Sequence, residues 1–340
     1  MDIEFHYWIT AIVAHRAGFD ADETRVIAYS SQFVDDNDIR LTVVDRATNK
    51  ELRNYISQTM DITKPKQELM RIYPIFHFVP GEPTTASARR RDGKMHILTT
   101  TPDSENAGHL LAEAFKSSPD CRLYRIGIAT HAYADTWAHQ NFVGWFDDFN
   151  AMGKIAPNIG HADATHNPDR VGHRWDDDRL VDAVINNNHR FLAAAGRLFG
   201  RFCDYLEAEG RYGGEARPGW EPLEQELIAA MQPVSSRGSE KRRDARIEAY
   251  RRAVGWLRDY DELEWLDAAI ETEVRGLRDN ENGLLSKFTL FRDEYYWRED
   301  VEREQTDWFR FQQAVRDHQA VGMDKFAPIY EQMNIDLWNV

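Results

Sequence analysis

The sequence predicts a mainly α-helical protein with a small β-hairpin insertion. Three observations carry this reading. Residues 5–18 place apolar side chains along one side of a helix, and Asp20 or Asp22 then caps a second helix over roughly 22–35. From residue 178 onward nearly every stretch has helical periodicity. The stretch DIRLTVVDRATNKELRNYI, from Asp38, instead alternates with the period of a strand and turns at Thr48-Asn49.

The remaining elements follow in order. Residues 72–79, IYPIFHFV, read as a short extended segment ending at Pro80-Gly81. Residues 82–105 are polar and irregular, and their basic run Arg89-Arg90-Arg91 reads most simply as an exposed loop. Helical patterns return near 106–118 and 121–140. Residues 141–177 are rich in Gly, Asn, Asp, Pro and His and predict no clear element. The late helices are expected over about 178–208, 221–232, 236–259, 261–298 and 300–318, with a weaker one near 324–337. Arg242, Arg243, Arg246, Arg251 and Arg252, with matching acids, give them salt-bridged faces. The expected organisation is a metal-binding helical core over 1–210, with the hairpin insertion near 38–80, and a charged helical extension over 211–340 packing on it.

Composition excludes several classes. The chain has 340 residues, 42% of them hydrophobic, which suits a globular protein with a sizeable core. A net charge of −15 argues against unassisted binding to duplex nucleic acid, whose phosphates need a basic face. The only two cysteines, Cys121 and Cys203, lie in no CxxC pair, so neither a thiolate zinc site nor a disulfide framework is expected. No apolar run is long enough to span a membrane. The N-terminal stretch has no basic leader and no small-residue cleavage pattern, so the expected location is the cytoplasm.

The sharpest chemical signal is RIGIATHAYADTWAHQNFVG, in which His131, Asp135 and His139 are spaced i, i+4, i+8. In an α-helix these three drift by only about 80° in total, so they share one face. His131 and His139 stand about 12 Å apart along the axis, too far for short contacts to one ion. Two ions fit this geometry, with the two oxygens of Asp135 between them. Ile126, Ile128, Tyr133 and Trp137 make the helix apolar elsewhere, and a buried His or Asp must be paired or ligate a metal. Eleven of the twelve histidines precede residue 190, which places the chemistry in the first half.

Five segments, taken in order, resemble the zinc-dependent phospholipase C and P1-type nuclease superfamily, and more closely an uncharacterised bacterial family near it. HYWITAIVA resembles the first histidine helix, and IAYSSQFVDDN the helix ending in a ligand aspartate. FHFVPG resembles the next histidine segment, THAYADTWAH the signature helix, and NIGHADATHNPD the last ligand segment. The match covers about residues 1–175. The resemblance implies a phospholipase C/P1 nuclease-like helical fold around a zinc site that hydrolyses phosphate esters. By position, Asp35, His77, His131 and Asp135 would hold one ion. His6 and the other oxygen of Asp135 would hold a second, and His139 and His161 a third.

The sequence also departs from that pattern. Secreted members use the amine and carbonyl of an N-terminal Trp, whereas this chain begins Met1-Asp2, so Asp2, Glu4 or water would substitute. The last histidine is normally followed four residues later by Glu, and here that residue is Thr165. Asp163, His166 or Asp169 can take the role, and Asp163 is favoured. The expectation is therefore two or three zinc ions. They would serve a phosphoester hydrolase acting through a metal-activated water, with Asp35 orienting or deprotonating that water. The expected substrate is a phosphoester or other small molecule. A metal-stabilised helical scaffold without general hydrolase activity is the alternative, with the charged C-terminal helices as a surface for a protein partner. A redox di-metal bundle would need Glu-x-x-His pairs on facing helices, and the candidate helices have none.

Overall fold

In the computed structural model the described residues are 1–59, 61, 64, 66–153, 158–232, 240–275 and 292–335. A wide π-helical turn, Glu4–Ile9, runs into helix α1, Thr10–Ala17, which stops at Gly18. Asp20, not Asp22, caps α2, Ala21–Asp36. Its side chain accepts from the Glu23 N–H at 2.9 Å while the Glu23 carboxylate accepts from the Asp20 N–H at 3.0 Å. The hairpin then forms where the alternation placed it, as β1, Thr42–Val44, and β2, Glu51–Arg53. Asp45 closes its turn by accepting from the N–H groups of Ala47 and Thr48.

A short helix, α3 (Lys66–Met70), leads to a second π-helical turn, Tyr73–His77. This corrects the extended segment expected at 72–79. Periodicity cannot separate strand from helix in so short an apolar run, and Pro74 sits in the first turn, where its missing N–H costs no hydrogen bond. Two longer helices follow, α4 (Glu105–Phe115) and α5 (Pro119–Ala138). Beyond a loop region, β3 (Arg174–Asp176) pairs with β4 (Val184–Asn186), so the next helix, α6, begins only at Asn187 and runs to Ala208. Residues 178–186, expected as its first turns, form the connection and strand instead, because Asn186 caps the helix at its own Asn188 N–H.

The C-terminal half contains α7 (Trp220–Ala230), α8 (Glu240–Ala253) and the short α9 (Glu264–Ala269). The helix expected over 261–298 ends there. Ile270–Arg275 forms β5 and Arg292–Trp297 forms β6, antiparallel to each other, while the intervening residues lie outside those described. The alternation of Ile270, Thr272 and Val274 with Glu271, Glu273 and Arg275 is a strand pattern hidden among charges. Strand β6 also pairs in parallel with β1, giving the order β2-β1-β6-β5. The hairpin is therefore one edge of a sheet closed by the C-terminal half. A single helix, α10 (Asp307–Gln332), replaces the two expected around 300–337 and carries Pro328 within it; residues 336–340 lie outside those described.

Helix α5 is the axis of the molecule. Every residue from Tyr124 to Ala138 is buried, and α2, α4, α6 and α10 all pack on it. Gly127 makes the α2 crossing this close. A β-carbon there would lie 2.4 Å from Ser30 Cβ and 2.5 Å from the Ile27 carbonyl oxygen. Gly127→Ala is expected to force the two helices apart and destabilise the fold by about 1–3 kcal/mol, read as a shifted denaturation midpoint. An unchanged midpoint would show that α2 and α5 are free to separate. No described helix is long and apolar enough to cross a membrane.

Candidate metal centre

Five pieces of chain converge beside the last two turns of α5. The N-terminal turn brings His6, the last turn of α2 brings Asp35, and the end of the second π turn brings His77. Helix α5 itself supplies His131 and Asp135, with His139 capping its end. The loop after it supplies His161 and Asp169.

Asp135 divides its oxygens between two sides. Its Oδ1 lies 3.2 Å from His6 Nε2 and against the Met1 amine, and its Oδ2 lies 3.2 Å from His131 Nε2 and 3.5 Å from His77 Nδ1. Asp35 Oδ1 approaches both His77 Nδ1 and His131 Nε2 at 3.7 Å. Asp169 forms a second bridge, with Oδ1 3.1 Å from His139 Nε2 and Oδ2 3.4 Å from His161 Nε2. The candidate ligand groups are thus His6–Asp35–His131, His77–His131–Asp135 and His139–His161–Asp169.

The backbone fixes which nitrogen of each ring faces inward. His131 Nδ1 donates to the Ser31 carbonyl at 2.7 Å, and His77 Nε2 to the Ser57 carbonyl at 2.9 Å. His139 Nδ1 donates to the His77 carbonyl at 2.7 Å, and His161 Nδ1 to the Thr165 carbonyl at 2.8 Å. A carbonyl only accepts, so these four nitrogens carry the ring protons, and the opposite nitrogens present lone pairs to the centre. His77 Nδ1 and His131 Nε2 then face each other at 3.0 Å. Two lone pairs at that distance repel unless a proton or a cation lies between them. His6 is fully buried and stacked on His131 with ring centroids 3.7 Å apart, and neither of its nitrogens has a hydrogen-bond partner. Its Nε2 is close to Asp135 but not aligned for a hydrogen bond. An orphaned imidazole beside paired lone pairs and two bridging carboxylates is a donor set that could hold divalent metal ions.

Residues 1–326 match a sequence family described as "Family of unknown function (DUF6765)". The chain belongs to this family. No curated protein and no solved structure matches it.

Within this DUF6765 member, seven of the eight residues expected as ligands meet at the centre: His6, Asp35, His77, His131, Asp135, His139 and His161. The eighth, Asp163, does not. It sits in a 3-10 turn, and its Oδ2 accepts from the Met152 N–H at 2.5 Å. Asp169 takes that place, eight residues after His161. The loop between them turns at Thr165, which has positive φ, so no regular spacing links the two candidate ligands. Glu4, a suggested stand-in at the N-terminus, is instead held by both nitrogens of the Arg246 fork at 2.7 Å. The Met1 amine fills the space between Asp135 and Asp169.

Electrostatics follow from burial and crowding. Burial disfavours the charged form of His6, and neighbouring His131 adds to this, so its pKa falls well below the ordinary value. Burial alone would raise Asp135, but His139, the Met1 amine, His131 and His6 overcome it and hold the carboxyl well below the usual 3.8. Asp169 is lowered in the same way, burial again being outweighed, here by His161 and the amine first. For a depressed carboxyl, the stability gained is present above the unfolded pKa and lost as pH falls through the folded one. The metal-free DUF6765 protein is therefore expected to lose stability progressively below pH 3.8. Denaturant midpoints measured on either side of that value check this, and a flat acid limb would contradict it.

Proposed function

We propose that the chain is a metal-dependent hydrolase acting on a phosphoester at a di- or trinuclear site, with zinc as the favoured ion and the helical fold of the phospholipase C/P1 nuclease type. The observation that supports it most is the pair of inward nitrogens, His77 Nδ1 and His131 Nε2, 3.0 Å apart with their protons committed to backbone carbonyls. When bound, such ions acidify a coordinated water and neutralise charge on phosphoryl oxygens.

The chain's own residues divide the remaining work. Asp135 and Asp169 each span two nitrogens and hold the ligand groups in register. The most exposed of the candidate ligands are Asp35, His161 and Asp169, whose side chains are 28%, 21% and 12% exposed. Burial still pushes the Asp35 carboxyl above its ordinary range, which suits a group that takes a proton from an attacking water.

The test is hydrolysis of phosphodiesters, phosphomonoesters and phospholipids by zinc-loaded protein, with metal content measured alongside. Asp35→Asn is expected to lower kcat about 10²–10⁴-fold. Zinc-loaded protein inert toward all three substrate types would sink the proposal. That outcome would favour a second reading, a metal-stabilised scaffold, which the lack of exposure at His6, His131 and Asp135 supports. In a scaffold the ions would resist chelation until unfolding.

A further inference from the structure

Three arginines converge, none in an ion pair among the described residues, in a protein of net charge −15. Arg89, Arg174 and Arg190 line one cavity of about 390 Å³, together with His189, Gln140 and Asp182. The fold assembles it from three places. The Arg89 segment is strapped to residues 179–181 by the Arg91 N–H on the Arg179 carbonyl at 2.9 Å and the Val181 N–H on the Arg89 carbonyl at 3.2 Å. Arg174 begins β3, and Arg190 lies in the first turn of α6, whose positive end faces the same region. Its neighbour in the run takes a structural role instead. Arg90 is buried, donates to the Phe149 carbonyl at 2.7 Å and stacks on that ring, correcting the expectation that all three arginines are exposed.

Among the described residues none of these three guanidiniums forms an ion pair. Arg190 Nη1 is enclosed and has no hydrogen-bond partner. The acid acting on it, Asp177, is already held by Arg179 at 2.8 and 2.7 Å. Burial weakens the Arg190 charge, pulling its pKa down to about 9, but it remains a cation at neutral pH. The Arg190 guanidinium lies 6.0 Å over the Trp175 ring, a weak partner for a half-buried cation, and an anionic ligand in the cavity would supply the hydrogen-bond partner that Nη1 lacks. Three positive charges against the single carboxylate of Asp182 suit a dianion, and forked donors from several directions suit tetrahedral oxygens.

We propose that this cavity binds the phosphate group of a small phosphorylated ligand through Arg89, Arg174 and Arg190. The site is separate from the metal ligands, touching their chain only through Gln140, the residue after His139. It does not depend on metal.

The experiment is calorimetric titration of the full-length, chelator-treated protein with inorganic phosphate at low salt and about pH 8, where phosphate is a dianion. Saturable one-to-one binding is expected, weakened about tenfold or more by Arg190→Gln and by Arg174→Gln, each removing a charge-assisted contact. Malonate, a planar-ended dianion, should bind far more weakly. Arg174 is exposed, so its variant keeps the test valid if the Arg190 variant folds poorly. Without phosphate, Arg190→Gln is expected to melt no lower than the parent, because it removes a half-buried charge that is in no ion pair among the described residues. No binding, equal binding by parent and Arg174→Gln, or malonate binding as tight as phosphate would each overturn the proposal. None of these outcomes bears on the metal centre.

Discussion

Replacing Asp135 with asparagine is expected to abolish tight metal binding and to destabilise the metal-free protein by about 3–5 kcal/mol, the range for breaking a buried charge constellation. Asp135 is 1% exposed, and its carboxylate faces His6, His77, His131 and the Met1 amine. An amide keeps the shape but removes the negative charge. It also turns one of the two acceptor oxygens into an NH2 donor, which has no lone pair with which to hold a cation. Burial and Asp135 have opposing effects on His131, and the acids together hold its pKa above the ordinary value, so that shift should vanish in the variant. Chemical denaturation with and without zinc reads both effects. A variant that keeps parental zinc affinity would mean that Asp135 bridges nothing.

The second large effect is expected far from any metal ligand in sequence. Arg246→Met should destabilise the protein by about 3–5 kcal/mol, because it strands the Glu4 carboxylate in the interior. Glu4 and Arg246 are 1% and 7% exposed and form a two-pronged pair, with the Tyr250 hydroxyl 3.3 Å from the same carboxylate. Glu4 lies in the turn that carries His6, so the pair ties α8 to the metal centre. The double variant Glu4→Gln, Arg246→Met should recover much of the loss, since no unpaired charge remains. A double-mutant cycle measures this, and strictly additive effects would show that the two residues are energetically independent.

That pair marks the limit of what the sequence displays. Features with a local signal were legible: the face shared by His131 and Asp135, a helix cap at Asp20 or Asp22 and the alternation of the hairpin. Convergence of His6, Asp35 and His77 on that face was legible through the order of motifs, not through any spacing. The choice of Asp169 over Asp163 was not, because its distance from His161 is set by a positive-φ turn at Thr165 in a loop without period. The β5–β6 pair was hidden too, since the charged residues alternating with β-branched ones in β5 read equally well as a salt-bridged helix. The arginine cavity joins residues 89, 174 and 190, and only the fold shows that they meet with Asp182 as the single acid lining the same cavity.

The most direct measurement of the central claim is anomalous diffraction at the zinc edge from crystals grown with zinc, with elemental analysis of the same protein. At least two peaks are predicted. One should lie where His77 Nδ1, His131 Nε2 and Asp135 Oδ2 converge, and another between His139 Nε2, His161 Nε2 and Asp169. Fully loaded crystals with no anomalous density at either place, and these histidines joined only by protons, would contradict the account.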